Sequence, residues 1–261
     1  LPAAGRMSQV IVETRERVTR IELNRPEKKN ALSPEMYAAM AKALADADAD
    51  AQVRAVLIHG QRGCFTSGND VKDFLELERG PADSPAAGFL RAIAAAQKPI
   101  VAAVGGPAVG VGTTMLLHFD LIYAAPNARF QLPFVPLGLL PEAASSLLLP
   151  VIAGYPRAAE LLLLGRPFTA EKALAAGIVT EIVPEAELLE RAREAALALA
   201  ALPPVSVKMT KELMKRGLAQ AVRERMQEEL RLFGERLRSP EAKEALSAFM
   251  EKRKPDFSRF S

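Results

Sequence analysis

The chain has 261 residues, 49% of them hydrophobic, enough for one large domain or a domain with an appendage. Its 34 basic and 31 acidic residues leave a formal charge of +3, which suits an anionic small molecule but is too mild to argue for nucleic acid; three Tyr and no Trp offer little for stacking on bases. One Cys (Cys64) excludes an intramolecular disulfide, and two His far apart in sequence (His59, His118) speak against a metal site. No apolar run approaches the ~20 residues of a membrane span. Leu1 to Arg6, ahead of Met7, resemble an expression scar, and Arg259-Phe260-Ser261 is not a peroxisomal Ser-Lys-Leu-type tail, so a cytoplasmic location is the expectation.

In chain order, Val10 to Thr14 and Val18 to Leu23 read as a strand pair. Asn24 to Asn30 is a charged loop. Ser33-Pro34-Glu35 is a helix start, with a cap, a proline in first position and an acid, and that helix runs to about Ala49. Ala55 to His59 is a short buried strand, Gly60 to Asn69 a turn-rich loop and Asp70 to Glu78 a short helix. Gly80 to Ser84 is a linker, followed by a helix to about Gln97. Ile100 to Val104 and Leu121 to Ala124 are strands. This alternation argues for an α/β fold.

After Pro141 the pattern turns helical: Glu142 to Val151, Pro156 to Leu164 and Ala170 to Ala176, with a strand at Val179 to Val183. An alanine-rich helix spans Leu188 to Ala201 and is broken by Pro203-Pro204. Val205 to Arg216, Leu218 to Leu237 and Glu241 to Lys252 complete a helical end. Its apolar stripe of Met214, Met226, Leu230, Phe233 and Leu237 suits core or subunit contact. The expected division is residues 7–202 as a core with the site and 203–261 as a helical region.

The segment from Val101 to His118 combines a buried strand, a glycine-rich turn and an apolar helix. Such a turn aims unpaired backbone N–H groups at whatever lies above the helix start. The turn carries no charged side chain. A P-loop needs Lys where Val111 stands, and a dinucleotide turn needs Gly where Met115 stands. The segment therefore fits a packing turn, the commoner use, or a site that stabilises a developing oxyanion. A second loop, Ile58 to Lys72, has the same strand–turn–helix order. Two such turns supply the two N–H donors that an oxyanion hole requires.

Phe65-Thr-Ser-Gly-Asn-Asp70 resembles the Phe-x-x-Gly-x-Asp loop of the crotonase (enoyl-CoA hydratase/isomerase) superfamily. Gly106-Pro-Ala-Val-Gly-Val-Gly112 with Phe119-Asp120 resembles its second signature, and Phe249 to Lys254 its C-terminal motif. The likeness runs from about Val10 to Phe257. It implies a crotonase/ClpP-like α/β spiral of ββα turns with a C-terminal helical trimerisation region. It also implies an acyl-CoA thioester substrate, whose enolate oxygen takes the N–H groups of Asn69 and Val111.

Hydratases of the family carry two glutamates, at positions where this chain has Thr114 and Phe134. A hydroxyl and a phenyl ring cannot replace two carboxylates as acid and base. Instead, Leu137-Gly-Leu-Leu-Pro-Glu-Ala-Ala-Ser-Ser146 resembles the Leu-Gly-x-x-x-Glu segment of the Δ3,Δ2-enoyl-CoA isomerases, especially the peroxisomal-type branch. The resemblance makes Glu142 the base that moves a proton from C2 to C4. Pro141-Glu142 is also a favoured helix start, where an acid stabilises the helix dipole by about 0.3–1 kcal/mol and loses basicity. Burial among Phe134, Leu137 and Leu140 is expected to outweigh that and raise its proton affinity.

The resemblance further implies substrate contacts from Lys28, Ser67, Gly68, Lys72, Gly110, Phe134, Leu137, Phe249 and Lys252. For the lysines a solvated surface role is the commoner alternative. Asp70 and Asp120 read as structural anchors, and His59, Cys64 and His118 as core residues. No metal is implied, nor a cofactor apart from the coenzyme A of the substrate. The implied assembly is a homotrimer or hexamer, with no nucleic acid or membrane partner. Other crotonase reactions (hydratase, dienoyl-CoA isomerase, hydrolase) and a non-catalytic acyl-CoA binder are the alternatives.

Overall fold

Strands β1 (Val10–Arg15) and β2 (Val18–Leu23) form an antiparallel hairpin, closed by Glu16 and Arg17 at φ of 49° and 66°. β3 (Ala55–Gly60), β4 (Ile100–Val104), β6 (Leu121–Ala124) and β9 (Glu181–Ile182) then add in parallel, giving the sheet order β1-β2-β3-β4-β6-β9. The central strands are apolar on both faces because both faces are covered. The computed structural model describes residues 8–61, 63–70 and 84–260.

One face presents Leu57, Val101, Ala103 and Tyr123 to helix α7 (Leu188–Ala201), whose Ala192, Ala195, Ala196 and Ala200 are buried against them. The small side chains let the helix axis approach the sheet. The other face presents Val56, Ile58, Ile100, Ala102 and Ile122 to the main core. There lie α1 (Pro34–Ala49), with Met36, Met40, Ala43, Leu44 and Ala47 inward at helical spacing, and α2 (Pro85–Ala95), with Phe89, Leu90 and Ile93 inward. Ser33 caps α1, its Oγ accepting the Met36 N–H at 3.3 Å, as the Ser-Pro-Glu start predicts.

A second sheet of β5 (Pro107–Val109), β7 (Arg129–Gln131) and β8 (Phe168–Thr169) lies beside the first. Its strands of two or three residues are too short to show a period, and the sequence reading left Pro107–Val109 inside a turn. The helix expected after the glycine turn is likewise short: α3 (Val111–Thr114) passes into a 3-10 turn over Met115–His118. Helices α4 (Ser145–Ala153), α5 (Tyr155–Leu164) and α6 (Ala170–Ala175) follow.

The last three helices are α8 (Pro204–Arg216), α9 (Ala219–Leu237) and α10 (Pro240–Met250). Val222, Met226 and Phe233 of α9 enter the main core, whereas Met214 is 70% exposed. Buried Lys211 of α8 donates to Asp120 Oδ2 and to the Lys98 carbonyl, each at 2.7 Å. Asp120 Oδ2 also accepts the Ile100 N–H at 2.7 Å, so Asp120 anchors the start of β4 as expected. Among the described residues no helix is long and apolar enough to cross a membrane. Apart from Asp70, the short helix expected over Asp70–Glu78, with Lys72, and most of the linker from Gly80 lie outside the described residues.

Candidate active site

The loop after β3 is shaped by side chains from the loop after β2. Fully buried Asn30 donates from Nδ2 to the Cys64 and Phe65 carbonyls, both at 3.1 Å, and accepts the Arg25 N–H at 2.8 Å. Arg25 pairs with Asp70 at 3.2 Å. Asp70 thus anchors the loop from outside. The Leu32 N–H donates to the Gly68 carbonyl (2.8 Å) and the Asp70 N–H to the Leu32 carbonyl (3.3 Å). In this parallel pairing of Leu32 with Asn69, the Asn69 N–H faces away from Leu32. It meets no protein acceptor among the described residues. The Tyr37 hydroxyl donates to Asn69 Oδ1, tying that residue to α1.

The glycine turn lies directly against this loop. The Thr66 N–H donates to the Pro107 carbonyl at 2.9 Å, and the Val109 N–H to the Thr66 carbonyl at 3.1 Å. The approach is close enough to require glycine: a Cβ on Gly68, at φ +91°, lies 2.7 Å from the Val109 carbonyl oxygen. On Gly106, a Cβ lies 1.9 Å from the Gly63 carbonyl oxygen. The Gly110 N–H is used by the Gln131 carbonyl (2.9 Å), and the Thr113 and Thr114 N–H groups by the Gly110 carbonyl. The Val111 N–H, first of α3, has no protein acceptor among the described residues. Two adjacent loops therefore present N–H groups without a protein acceptor among the described residues: Asn69 from one, Val111 and the following Gly112 from the other.

Glu142 is not at a helix start. Ala143 and Ala144 take left-handed φ of 60° and 54°, which no helix continues, and α4 begins at Ser145. Two alanines in this region cost about 1–2 kcal/mol each, so the turn must be held from outside. His118 Nε2 donates to the Ala143 carbonyl at 2.7 Å. From α9, buried Glu229 accepts the Ala144 N–H at 2.6 Å, the Ser146 N–H at 3.1 Å and the Ser146 hydroxyl. His118 is neutral: burial lowers its pKa to about 4.

The Glu142 residue is half-buried, yet its Oε1 is closed to solvent and has no hydrogen-bond partner. Burial, reinforced by the negative charge of Glu229, raises its pKa to about 8. The direction is the one expected from burial, but no helix dipole is outweighed, because the helix begins only at Ser145. A carboxyl with such an affinity picks up and returns a proton near neutral pH. Thr114 is fully buried with its hydroxyl unpartnered, and Phe134 is 5% exposed at the head of the 3-10 turn Val135–Leu137. Neither supplies an acid.

Of the other expected contacts, Gly68 and Gly110 lie in the paired loops, and half-buried Ser67 joins exposed Lys28, its hydroxyl donating to the Lys28 carbonyl at 3.4 Å. Leu137 is half-buried. Phe249 (59% exposed) and Lys252 sit at the surface end of α10, with no hydrogen bond or ion pair to the donor loops among the described residues. Cys64 is half-buried, and burial pushes its thiol up, which disfavours the thiolate. Buried His59 bonds the Gly60 carbonyl through Nδ1, while its Nε2 is unpartnered. Among the described residues no group of three potential ligands forms a metal site.

Glu229, Asn30 and Tyr37 escaped the sequence reading. Glu229 had a signal: it lies three residues after Met226 and four before Phe233, a charge on the buried stripe of an amphipathic helix.

The enoyl-CoA hydratase/isomerase family model matches residues 13–259. The chain belongs to this family. It is 36% identical to rat (Rattus norvegicus) enoyl-CoA delta isomerase 2 over 94% of its length, and spans 64% of that protein. It is also similar to the crystal structure of an enoyl-CoA hydratase/isomerase from Pseudoalteromonas atlantica T6c (45% identity, TM-score 0.92, covering 96% of this chain and 100% of that one). An enoyl-CoA hydratase from Mycobacterium avium subsp. paratuberculosis matches at 32% identity and TM-score 0.85 over 96% of this chain and 99% of that one. This fold is the crotonase fold expected from the two loop motifs.

Proposed function

We propose that the protein is an acyl-CoA isomerase that shifts the double bond of a 3-enoyl-CoA to the 2-trans position. The observation that carries the reading is Glu142: a buried carboxyl with raised proton affinity and an unpartnered oxygen, with Thr114 and Phe134 at the positions of the hydratase acids. The Glu142 carboxylate takes a proton from C2 of the acyl chain. The electron pair spreads into a dienolate whose thioester oxygen accepts the N–H groups of Asn69 and Val111. The protonated Glu142 returns the same proton to C4, leaving the double bond between C2 and C3. No water is activated, so one carboxyl group suffices. Apolar Phe134 and Leu137 line the acyl chain, while Lys28, Lys72, Ser67 and Lys252 serve the coenzyme A portion, the only cofactor moiety involved. The working unit is a homotrimer or hexamer in the cytoplasm, with residues 7–202 forming the spiral core and 203–261 the helical assembly region.

The test is conversion of 3-enoyl-CoA to 2-trans-enoyl-CoA by wild type and by Glu142→Gln. The variant is expected to lose turnover by about 10²–10⁴-fold, the range for a positioned acid–base group. Unchanged turnover overturns the assignment of the base. Hydration of crotonyl-CoA at ordinary enzymic rates overturns the choice of isomerase.

A further inference from the structure

Glu142 stands at the head of a turn to which the local backbone gives one bond, from the Ser145 N–H to the Glu142 carbonyl at 3.0 Å. Ala143 and Ala144 are both left-handed without being glycine, and the Ala144 and Ser146 N–H groups at the start of α4 have no backbone acceptor among the described residues. One carboxylate, 83 to 85 residues further along the chain, meets both needs: Glu229 Oε2 takes the Ala144 N–H, and Oε1 takes both donors of Ser146. We propose that Glu229 is a positioning residue for Glu142, clamping the Ala143–Ala144 turn from α9. The inference rests on the reading of Glu142 as the base.

Three donors on its two oxygens, with Arg225 nearby, favour the carboxylate form of Glu229. Arg225, one turn earlier on α9, donates to the Ser146 hydroxyl at 3.0 Å and sits beside Glu228. Burial raises the proton affinity of the Glu229 carboxyl on balance, against the pull of its three donors and Arg225. Across the turn, His118 is neutral. Helix α4 carries no charge, and Arg91 of α2 lies at the surface. Lys211 and Lys215 of α8 are taken by Asp120 and the His118 carbonyl. Glu241 and Glu244 of α10 are paired with arginines. Glu229 therefore supplies the negative charge that Glu142 feels, and it acts on the base in two ways: through the backbone and through the field.

The two effects are separable in the pH profile of kcat/KM for 3-enoyl-CoA. Glu229→Gln removes the charge, so the limb on which activity rises with pH moves down, and kcat falls about tenfold or more at unchanged KM. Glu229→Asp keeps the charge but shortens the reach, so kcat falls while the limb moves less. Ser146→Ala removes one donor and leaves α4 intact; kcat falls two- to fivefold, a reading that holds even if the Glu229 variants fail to fold. An unmoved limb and unchanged kcat in Glu229→Gln overturn the proposal, as does unchanged kcat in Ser146→Ala if that variant has to stand alone. Glu142→Gln run beside them separates the cases: if it retains turnover, the base assignment has failed, whatever Glu229 does.

Discussion

The two halves of the proposed site, the donor loops and the segment that carries Glu142, are built by different means. The loops that end in Asn69 and Val111 are held by backbone bonds to each other and to neighbouring segments, with glycines where the chains touch, and the first is also braced by the side chain of Asn30. The segment that carries Glu142 has no such ladder. It is held by His118 from the 3-10 turn and by Glu229 from α9, against two strained alanines. Donors for an oxyanion must be held in place before the reaction, and a backbone turn does this locally. A carboxyl with raised proton affinity must be buried, and burial is a property of what packs on it.

The contrast is broken most strongly by Glu142→Gln, which removes the acid half of the chemistry and leaves the donor half; its turnover loss is the largest effect expected. Gly68→Ala is the counterpart on the donor half. Its Cβ would meet the Val109 carbonyl at a strained φ, forcing the loops apart. A loss of about 2–4 kcal/mol in unfolding free energy by denaturant titration is expected. Asn30→Ala leaves two loop carbonyls without their donor and costs about 2–3 kcal/mol by the same measurement.

pH sharpens the comparison because the two groups that hold or form the acid half, Glu142 and His118, are strongly shifted by burial. The Glu142 carboxyl ionises near 4.5 in the unfolded chain and at about 8 in the fold. The proton it retains stabilises the fold fully below 4.5, and that contribution is lost as pH rises through 8. Glu142→Gln therefore melts above wild type at alkaline pH, and the gap narrows as pH falls; thermal midpoints across pH check this. His118 runs the other way: held at about 4 against an ordinary 6.5, its stabilisation is present above 6.5 and lost as pH falls through 4. The smallest effect is at the strained turn, where Ala144→Gly relieves the left-handed conformation and raises stability by about 0.5–1 kcal/mol. An unchanged melting temperature in that variant contradicts the account of strain.

The legible parts were those with local causes. The Ser33-Pro34 cap, the apolar periodicity of α1 and the continuous apolar runs of β3 and β4 each follow from neighbours a few residues away. The Phe65–Asp70 and Gly106–Gly112 motifs also led to the family that the comparisons show. The strands Pro107–Val109 and Phe168–Thr169 were not legible, because two or three residues carry no period. Pro141-Glu142 misled for a physical reason: it spells a helix start, but tertiary bonds hold the next two residues left-handed.

By itself the sequence determined the α/β class, the order of the main elements, the pair of donor loops and the presence of one candidate acid in place of two. Each of these depends on residue type at fixed short spacing. Only the tertiary structure decided that the two loops touch, that the Asn69 and Val111 N–H groups are left over, and that Glu142 stands outside the helix with a sealed carboxyl oxygen. It also brought in Glu229, because hydrogen bonds and burial arise between segments far apart in the chain.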